Sequence, residues 1–562
     1  MHYFRPFAHL SLCLVILCLF AVELAAPAQS AGKSVILQVL DEEQKRAFEQ
    51  LRQNGNPPPY FLSFQVSEIN SVAITASLGA LRDSTENRLR NLDINVRVGD
   101  FKLDNTNGRG GVTGSVRLPI EDDVAALKSS IWLTADSAYK NAVDTYLRIK
   151  TQKDTSVADE YPADDFSTVP PQTSLNALVR LPVDKHEWEN RVRRLSAVFK
   201  NYPEIYSATV SFSADAVNRY YVNSEGATVQ HGKALVRVSI FAATKADDGM
   251  NLFRFDAFDA STSGGLPDEE RLKAGVEKVA RDVVALRRAP VIEPYAGPAI
   301  LSGRASGVFF HEIFGHRIEG HRQKDNLEGN TFTQQINQPV LPNFISVTDD
   351  PTQSRMGPVD LNGHYLFDEE GVKAQKVPLV VNGVLKNFLM SRSPIVGFPV
   401  SNGHGRAAPG FSPVSRQGNL IIQANKTVPH AQLRQMLISE VKRQGKKFGL
   451  FFDDISGGFT NTTRYSPQAF QVTPVIVYRV YTDGRPDELV RGVDLIGTPL
   501  TSFSKIIAAD DKPEIFNGFC GAESGFIPVS AISPAILISQ IEVQKRAKSN
   551  ELLPILPPPG IR

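Results

Sequence analysis

In the first half of the chain apolar residues recur at two spacings, one typical of helices and one typical of strands. The helical period predicts four helices, at 41–55, 123–150, 188–199 and 272–283. Short apolar or alternating runs predict strands at 35–40, 62–66, 92–98, 210–212, 220–222 and 235–241. A turn at 223–226 joins the last two strands, and the polar, Pro-rich residues 151–175 are predicted to form an exposed loop.

The pattern changes after Pro290, where Gly, Pro and short apolar runs replace the long helical stretches. Strands are predicted at 377–381, 385–390, 420–423, 472–481 and 489–496. Asn382-Gly383 and Asp483-Gly484 lie between apolar runs and are typical of hairpin turns. We therefore predict an α+β fold in which an N-terminal mixed α/β-sheet domain (29–290) precedes a mostly β C-terminal domain (291–545). Residues 546–562 are charged and then Pro-rich, and are predicted to form a loosely held tail.

The first 28 residues have the pattern of a secretory signal peptide. Arg5 and His9 precede an apolar run at 10–22, and the segment 26–28 (Ala-Pro-Ala) fits a cleavage site. The run is too short for an ordinary spanning helix. We predict a periplasmic or secreted protein with no stable membrane span after signal removal; an uncleaved anchor is the alternative.

Charge and cysteine content narrow the possible functions. The 562-residue chain has a net charge of +1, so no global field favours nucleic acid, and no nucleic-acid partner is expected. Cys13 and Cys18 lie in the predicted signal, which leaves Cys520 as the sole mature thiol and excludes an internal disulfide framework. A lone exported thiol is inert and buried, intermolecular or held by a metal.

The segment His311-Glu312-Ile313-Phe314-Gly315-His316 carries the candidate chemistry. The zinc-hydrolase pattern H-E-x-x-H places its histidines four residues apart on one helical face. Here the histidines are five apart, and on a regular helix their rings would point about 140° apart. One metal can take both only if the helix is distorted, for example by a π-bulge, and Gly315 is the point where the backbone yields most easily. The alternative is a helix with two buried structural histidines.

Four segments in order resemble the TldD/PmbA family of zinc metallopeptidases, and in particular its TldD branch. The helix segment with its continuation to Gly320 is similar to the family's metal-binding helix. The other three are similar to its D-x-E-G and E-N-G-x-L stretch, its N-G-x-x-R loop and its V-C-G-K-x-G segment; they lie at 368–385, 401–406 and 519–525. The resemblance covers roughly 200–545. It implies a zinc peptidase, Zn²⁺ as cofactor and a dimer, either of identical chains or with a related subunit.

The resemblance also implies roles for individual residues. Catalytic zinc takes three protein ligands and leaves one position open. His311 and His316 supply two ligands, and Cys520 is the expected third, with Glu319 and His321 as the other candidates. Glu312 is the expected general base on a zinc-bound water, and Glu319 is an alternative orienting group for a ligand histidine.

Two further residues are weaker candidates for substrate contacts. His404 and Arg406 lie in a Gly-rich segment that could approach a peptide backbone or its terminal carboxylate, although an ordinary surface loop explains the segment equally well. A peptide could also bind by pairing with an open strand edge, which the sequence does not identify.

Three functions compete at this point. The leading hypothesis is an exported zinc metallopeptidase (HExxxH type) that cuts peptides or unfolded protein segments. The alternative is an exported peptide-binding or assembly protein with a purely structural zinc site, closed by a fourth ligand such as His321. A third hypothesis is a redox-sensing protein built on Cys520.

Overall fold

The computed structural model describes residues 32–108, 111–155, 161–324, 328, 331–463, 470–497, 499–546 and 556. The predicted signal peptide at 1–28 lies outside the described residues, and so does the tail apart from 546 and 556. No helix in the described part of the chain is long and apolar enough to cross a membrane.

Residues before Pro290 fold as one antiparallel-rich sheet with four helices. The elements in chain order are α1 (Val35–Asn54), β1 (Pro59–Ser77), β2 (Ala80–Val98), β3 (Gly114–Arg117), α2 (Val124–Thr155), β4 (Thr173–Leu175), α3 (Lys185–Ala197), β5 (Ser207–Asn223), β6 (Thr228–Lys245), β7 (Asn251–Ala260) and α4 (Glu269–Arg288). The strand order is β3-β2-β1-β5-β6-β4, and β7 also pairs with β6. The boundary predicted at residue 290 falls in the link after α4.

The two faces of this sheet have different chemistry because strand side chains alternate. Even-numbered positions such as Phe64, Val210 and Phe212 are apolar and pack under the helices: α1 and α2 cover one end of the face, and α3 and α4 the other. Odd-numbered positions carry polar groups toward the C-terminal half. Arg219 pairs with Glu369 on this side. The sheet therefore buries both faces, one by hydrophobic packing and the other by polar contacts.

The C-terminal half is mostly β, as predicted. Its elements are β8 (Tyr295–Leu301), α5 (Gly303–Ile313), β9 (Ile345–Asp349), β10 (Arg355–Met356), β11 (Val359–Asp360), β12 (Val377–Val381), β13 (Val384–Leu385), β14 (Gly405–Arg406), β15 (Val414–Ser415), β16 (Asn419–Ala424), α6 (His430–Arg443), β17 (Phe448–Thr460), β18 (Phe470–Tyr481), β19 (Glu488–Val490), β20 (Val493–Gly497), α7 (Pro499–Phe503), β21 (Ile506–Ala509), β22 (Glu514–Ala522), β23 (Gly525–Ser533) and β24 (Ile536–Lys545).

Two sheets of this half enclose α5. One has the order β13-β12-β9-β16-β23-β22, so that β22 is an edge strand. In the other, β17 pairs with both β8 and β18 and closes a ring with β24 and β20. Ser302 caps the start of α5 by accepting a hydrogen bond from the Ala305 amide at 3.1 Å. Every residue of α5 except Arg304 is buried, including the polar residues Ser306, His311 and Glu312.

Several predicted elements differ from the structure. The strand predicted at 35–40 is wrong, because these residues form the first turns of α1. A six-residue segment with five apolar residues fits either period, and here Ile36, Leu37 and Leu40 pack at helical spacing. The loop predicted at 151–175 contains the end of α2 and the short strand β4. The two strands predicted at 210–212 and 220–222 are one strand, β5, and β7 was not predicted.

In the C-terminal half the strand at 385–390 is shorter than predicted and ends at Leu385, whereas the one at 489–496 is split into β19 and β20. Both hairpin turns are confirmed. Asn382-Gly383 joins the antiparallel strands β12 and β13, and Asp483-Gly484 lies between the antiparallel strands β18 and β19. Asn382 and Gly383 have φ values of 47° and 82°, which the tight turn between β12 and β13 requires.

We expect Gly383→Ala to lower the thermal unfolding midpoint more than Gly357→Ala. Both glycines have positive φ, a strain that costs an L-residue about 1–2 kcal/mol. A Cβ at Gly383 would also lie 2.4 Å from the Leu341 carbonyl oxygen, whereas a Cβ at Gly357 would meet nothing within 4 Å. Equal midpoints for the two variants, measured by circular dichroism, would contradict the proposed backbone clash.

Candidate metal centre

The α5 helix ends between the two histidines, and this break brings their rings to the same side. The last α-helical bond of α5 runs from the Phe314 amide to the Phe310 carbonyl, and residues 315–318 continue as a 3₁₀ turn. The expected distortion is therefore present, but it is a change from α to 3₁₀ geometry rather than a π-bulge. The His311 and His316 ring centroids lie 5.1 Å apart.

Two side chains hold this helix end in place. The Arg317 guanidinium donates to the carbonyls of Glu312 and Ile313 at 3.3 and 3.1 Å, and to Thr460 on β17 at 2.7 Å. It thus caps the C-terminus of α5 with a cation, which the helix dipole favours. Gln417 donates to the His311 carbonyl at 3.3 Å. A Cβ at position 315 would lie 1.9 Å from the Gln417 Oε1, so the break requires glycine there for space.

The Cys520 thiol joins the two imidazoles from a different element. Cys520 lies on β22, and its Sγ is 3.3 Å from His316 Nε2. The ligand atoms of His311, His316 and Cys520 all lie within 4.8 Å of one another, and all three side chains are buried. The structure therefore brings together the three residues that the sequence proposed as zinc ligands. In the described part of the chain no fourth His, Cys, Asp or Glu belongs to this group.

The three groups influence one another's protonation. Burial raises the pKa of the Cys520 thiol, but the two neighbouring imidazoles outweigh burial and hold that pKa well below its usual range. Burial lowers the pKa of His316, but Cys520 and Glu319 raise it well above its usual value. The His311 pKa is raised in the same way, chiefly by Cys520 against the effect of burial. The thiolate, which is the form that binds metals, is thus favoured here.

Glu319 lies behind His316, where the sequence placed a possible orienting group. Its carboxylate is 3.3 Å from His316 Nδ1 and accepts a hydrogen bond of 2.8 Å from Arg322 Nε. The carboxylate is fully buried, which raises its pKa, but His316 and Arg322 outweigh this effect and bring the pKa to about 2. Glu319 is therefore an anion that contacts the far nitrogen of His316.

His321 does not join the three ligand residues. Its Nε2 contacts the Glu523 carboxylate. Burial raises the pKa of Glu523, but the hydrogen bond and charge of His321, with the charge of Arg322, outweigh burial and lower that pKa strongly. The ring of His321 is thus engaged elsewhere.

Glu312 lines a cleft of about 690 Å³ together with the three ligand residues. Its side chain packs against Gly458 of β17, where a Cβ would lie 2.6 Å from Glu312 Cγ. The lining of the cleft also includes Phe519 and Phe526, which are 47% and 75% exposed. Such large exposed apolar groups beside a cleft are typical of a binding surface.

His404 and Arg406 are placed elsewhere. His404 is fully buried, and its Nε2 lies 3.2 Å from an Asp349 carboxylate oxygen. Arg406 is 3% exposed and donates to the carbonyls of Gln417 and Pro528 at 2.6 and 3.1 Å. Both side chains are buried, so neither is exposed to a peptide in this structure, and Arg406 bonds the backbone at Gln417 and Pro528.

The sequence patterns did not reveal four residues that shape the site. Arg317, Arg322, Gln417 and Glu523 each bond a ligand residue's backbone, an orienting carboxylate or the neighbouring turn. Arg317 and Glu523 lie inside the family-like segments at 311–320 and 519–525, which was the available signal for them, whereas Arg322 was marked only by its position close to the histidines.

Comparisons with known proteins agree with these observations. Residues 295–545 match the family model described as the PmbA/TldA metallopeptidase C-terminal domain. A metalloprotease of Methanothermobacter thermautotrophicus is 26% identical over 340 residues, which are 59% of this chain and 69% of that protein. A zinc metalloprotease TldD homologue of Saccharolobus solfataricus is 23% identical over 380 residues, 64% of this chain and 75% of that protein.

The solved structures show the same fold. TldE from Thermococcus kodakarensis superposes with a TM-score of 0.59 and 15% sequence identity, and the match covers 89% of this chain and all of that one. The family model over residues 295–545, the named relatives and the shared architecture together show that this chain is similar to the TldD/PmbA metallopeptidase family.

Proposed function

We propose that this chain is an exported zinc-dependent metallopeptidase of the HExxxH type that hydrolyses peptide bonds in peptides or unfolded protein segments. The observation that carries the proposal is the convergence of His311, His316 and Cys520 beside Glu312 on the wall of one cleft. The names of the relatives support a metalloprotease, and one of them is a zinc metalloprotease.

The donor set fits zinc. Two imidazoles and a thiolate are ligands that Zn²⁺ favours, and in a tetrahedral site bound nitrogen and sulfur lie about 3.5 Å apart. The Sγ–Nε2 separation of 3.3 Å between Cys520 and His316 is close to that value. Zinc, when bound, supplies a Lewis acid for the scissile carbonyl and lowers the pKa of a coordinated water.

Glu312 is the proposed general base. It directly follows His311 on α5, and its carboxylate lines the cleft without belonging to the ligand group. In that position it takes a proton from the attacking water and returns it to the leaving amine. Glu319 contacts His316, and Arg317 caps the end of α5. These contacts hold the Glu312 carboxylate and the ligand side chains in fixed relative positions.

The structural-zinc alternative is less well supported. A closed site needs a fourth protein ligand, and His321, the candidate for that position, contacts Glu523 instead. A redox role for Cys520 is also disfavoured because the thiol is buried between two imidazoles rather than accessible.

The cleft fits an extended peptide. β22 is the last strand of its sheet and runs beside the cleft, so its outer edge offers backbone groups to a substrate segment. We also propose export, on the signal-like pattern at 1–28, and a dimer with an identical or related subunit. The dimer is proposed from the resemblance of the sequence to the TldD/PmbA family.

We expect Glu312→Gln to keep wild-type zinc content and to lower kcat/KM for an unfolded peptide substrate by about 10²–10⁴-fold, the contribution of a single general base. Metal analysis and a peptide cleavage assay measure the two effects. Glu277→Gln, on the α4 surface, is the matched control and should behave as wild type. Wild-type cleavage by a zinc-loaded Glu312→Gln protein would refute the role of Glu312.

We expect Cys520→Ser and His316→Gln each to weaken zinc binding strongly, because each removes a ligand. The loss should exceed the effect of removing an outer-shell partner, which is about 10–100-fold. His430→Gln is the matched control, because His430 lies on α6 and contacts Asp510 outside the cleft. A chelator should abolish peptide cleavage by the wild type, and added zinc should restore it. Wild-type zinc affinity in Cys520→Ser would rule out the thiolate as a ligand.

A further inference from the structure

A single guanidinium beside the centre joins three carboxylates. Arg322 donates from Nε to Glu319 at 2.8 Å, from Nη1 to Glu328 at 2.9 Å and from Nη2 to Glu523 at 2.9 Å. All five donor hydrogens of an arginine form a rigid planar fork, so these contacts fix the relative positions of the three carboxylates. The three lie on separate stretches of chain, and two of them lead to proposed zinc ligands.

The first link leads to His316. The Glu319 carboxylate that Arg322 holds contacts His316 Nδ1, while Nε2 of the same ring faces the Cys520 sulfur. A carboxylate that accepts a hydrogen bond from one ring nitrogen fixes the tautomer and leaves the other nitrogen available to a metal. Arg322 thus acts on the orientation of His316 through Glu319.

The second link leads to Cys520. Glu523 follows Cys520 by three residues and lies in the turn between β22 and β23. Arg416 forms a parallel link on the buried side: it donates to the Cys520 carbonyl at 2.8 Å and to Ser524 Oγ at 2.7 Å, and its Nε lies 3.6 Å from Glu319. Two arginines therefore tie the orienting carboxylate of His316 to the hairpin that carries the thiol.

We propose that Arg322 is a positioning residue that fixes the separation of the Cys520 sulfur from the His316 ring and so tunes zinc affinity. This role rests on the zinc centre of the proposed function, but it concerns metal binding rather than hydrolysis. Arg322 is more suitable for substitution than Arg416, because its side chain lines the cleft, whereas that of Arg416 is fully buried.

The test compares Arg322→Gln, Arg322→Lys and Glu523→Gln in the mature chain, with Arg194→Gln as the control. Arg194 pairs with Glu269 on the exposed surface of the N-terminal half. Zinc affinity is measured by competition with a chromophoric chelator, and the Co²⁺-loaded proteins are examined by visible absorption. The sulfur-to-cobalt charge-transfer band reports how closely Cys520 is held, which a mere loss of stability would not alter.

We expect Arg322→Gln to raise the zinc Kd by about 10–100-fold and to weaken the charge-transfer band. Arg322→Lys should have the same two effects, because a lysine ammonium cannot reproduce the planar fork of the guanidinium. Glu523→Gln should shift both readouts in the same direction by a smaller factor, and Arg194→Gln should change neither.

Wild-type affinity and spectrum in folded Arg322→Gln would overturn the proposal. If circular dichroism shows that this variant does not fold, Glu523→Gln decides, and wild-type readouts there overturn the link to the hairpin. A wild-type protein that binds zinc tightly but cuts no peptide refutes the peptidase and leaves the role of Arg322 standing. A wild-type protein without zinc affinity refutes both.

Discussion

The burial of α5 between two sheets is the constraint on which the rest of the C-terminal half depends. Because α5 is enclosed on all sides, it cannot rotate or slide without displacing Val308, Phe309 or Phe310 from the hydrophobic core. Its axis and register are therefore fixed by packing, since a core of native density tolerates little displacement. His311 and Glu312 lie in the last turn of this helix, which ends at Ile313, so the packing of the helix fixes the positions of these two polar side chains.

The change from α to 3₁₀ geometry after Ile313 solves a problem that the spacing of the histidines creates. A continuous helix would aim the two rings apart, and a loop would leave them without fixed direction. The α-helix stops at its C-cap, Phe314, so the chain changes direction before His316, and Arg317 occupies carbonyls that the helix end leaves free. Gln417 takes the space that only a glycine at 315 allows. The rings thus converge because of tertiary contacts, with no contribution from an ideal helix.

Strong local signals predicted much of the fold. The period of Leu272, Val276 and Val279 identified α4, and Asn382-Gly383 identified a hairpin, because both depend on residues close in sequence. The segment 35–40 was misread because a short segment with five apolar residues suits either a strand or the start of a helix. The same contrast between local signals and distant contacts applies to the candidate site. Glu312 and the two histidines are visible in one short segment, and Glu319 follows from its spacing.

The remaining parts of the site depend on distant contacts. Cys520 was placed through the family resemblance, because nothing local connects a residue on β22 to α5. His404 and Arg406 were expected in a Gly-rich loop, but both are buried, with His404 beside Asp349 and Arg406 bonded to the Gln417 carbonyl. The arginines around Glu319 could not be predicted, since each contact joins segments whose proximity only the folded chain defines.

The sequence separation of the donor atoms has a consequence for how the protein matures. The sulfur and the His316 nitrogen are 204 residues apart along the chain, and between them lie most strands of both C-terminal sheets. In zinc fingers a nearby cluster of donors lets the ion organise the polypeptide. Here nothing resembling a binding pocket exists until β22 has docked beside the helix, so folding must come first and metal loading last. A newly synthesised chain would pass through a compact, metal-free state, and zinc would enter it through the cleft.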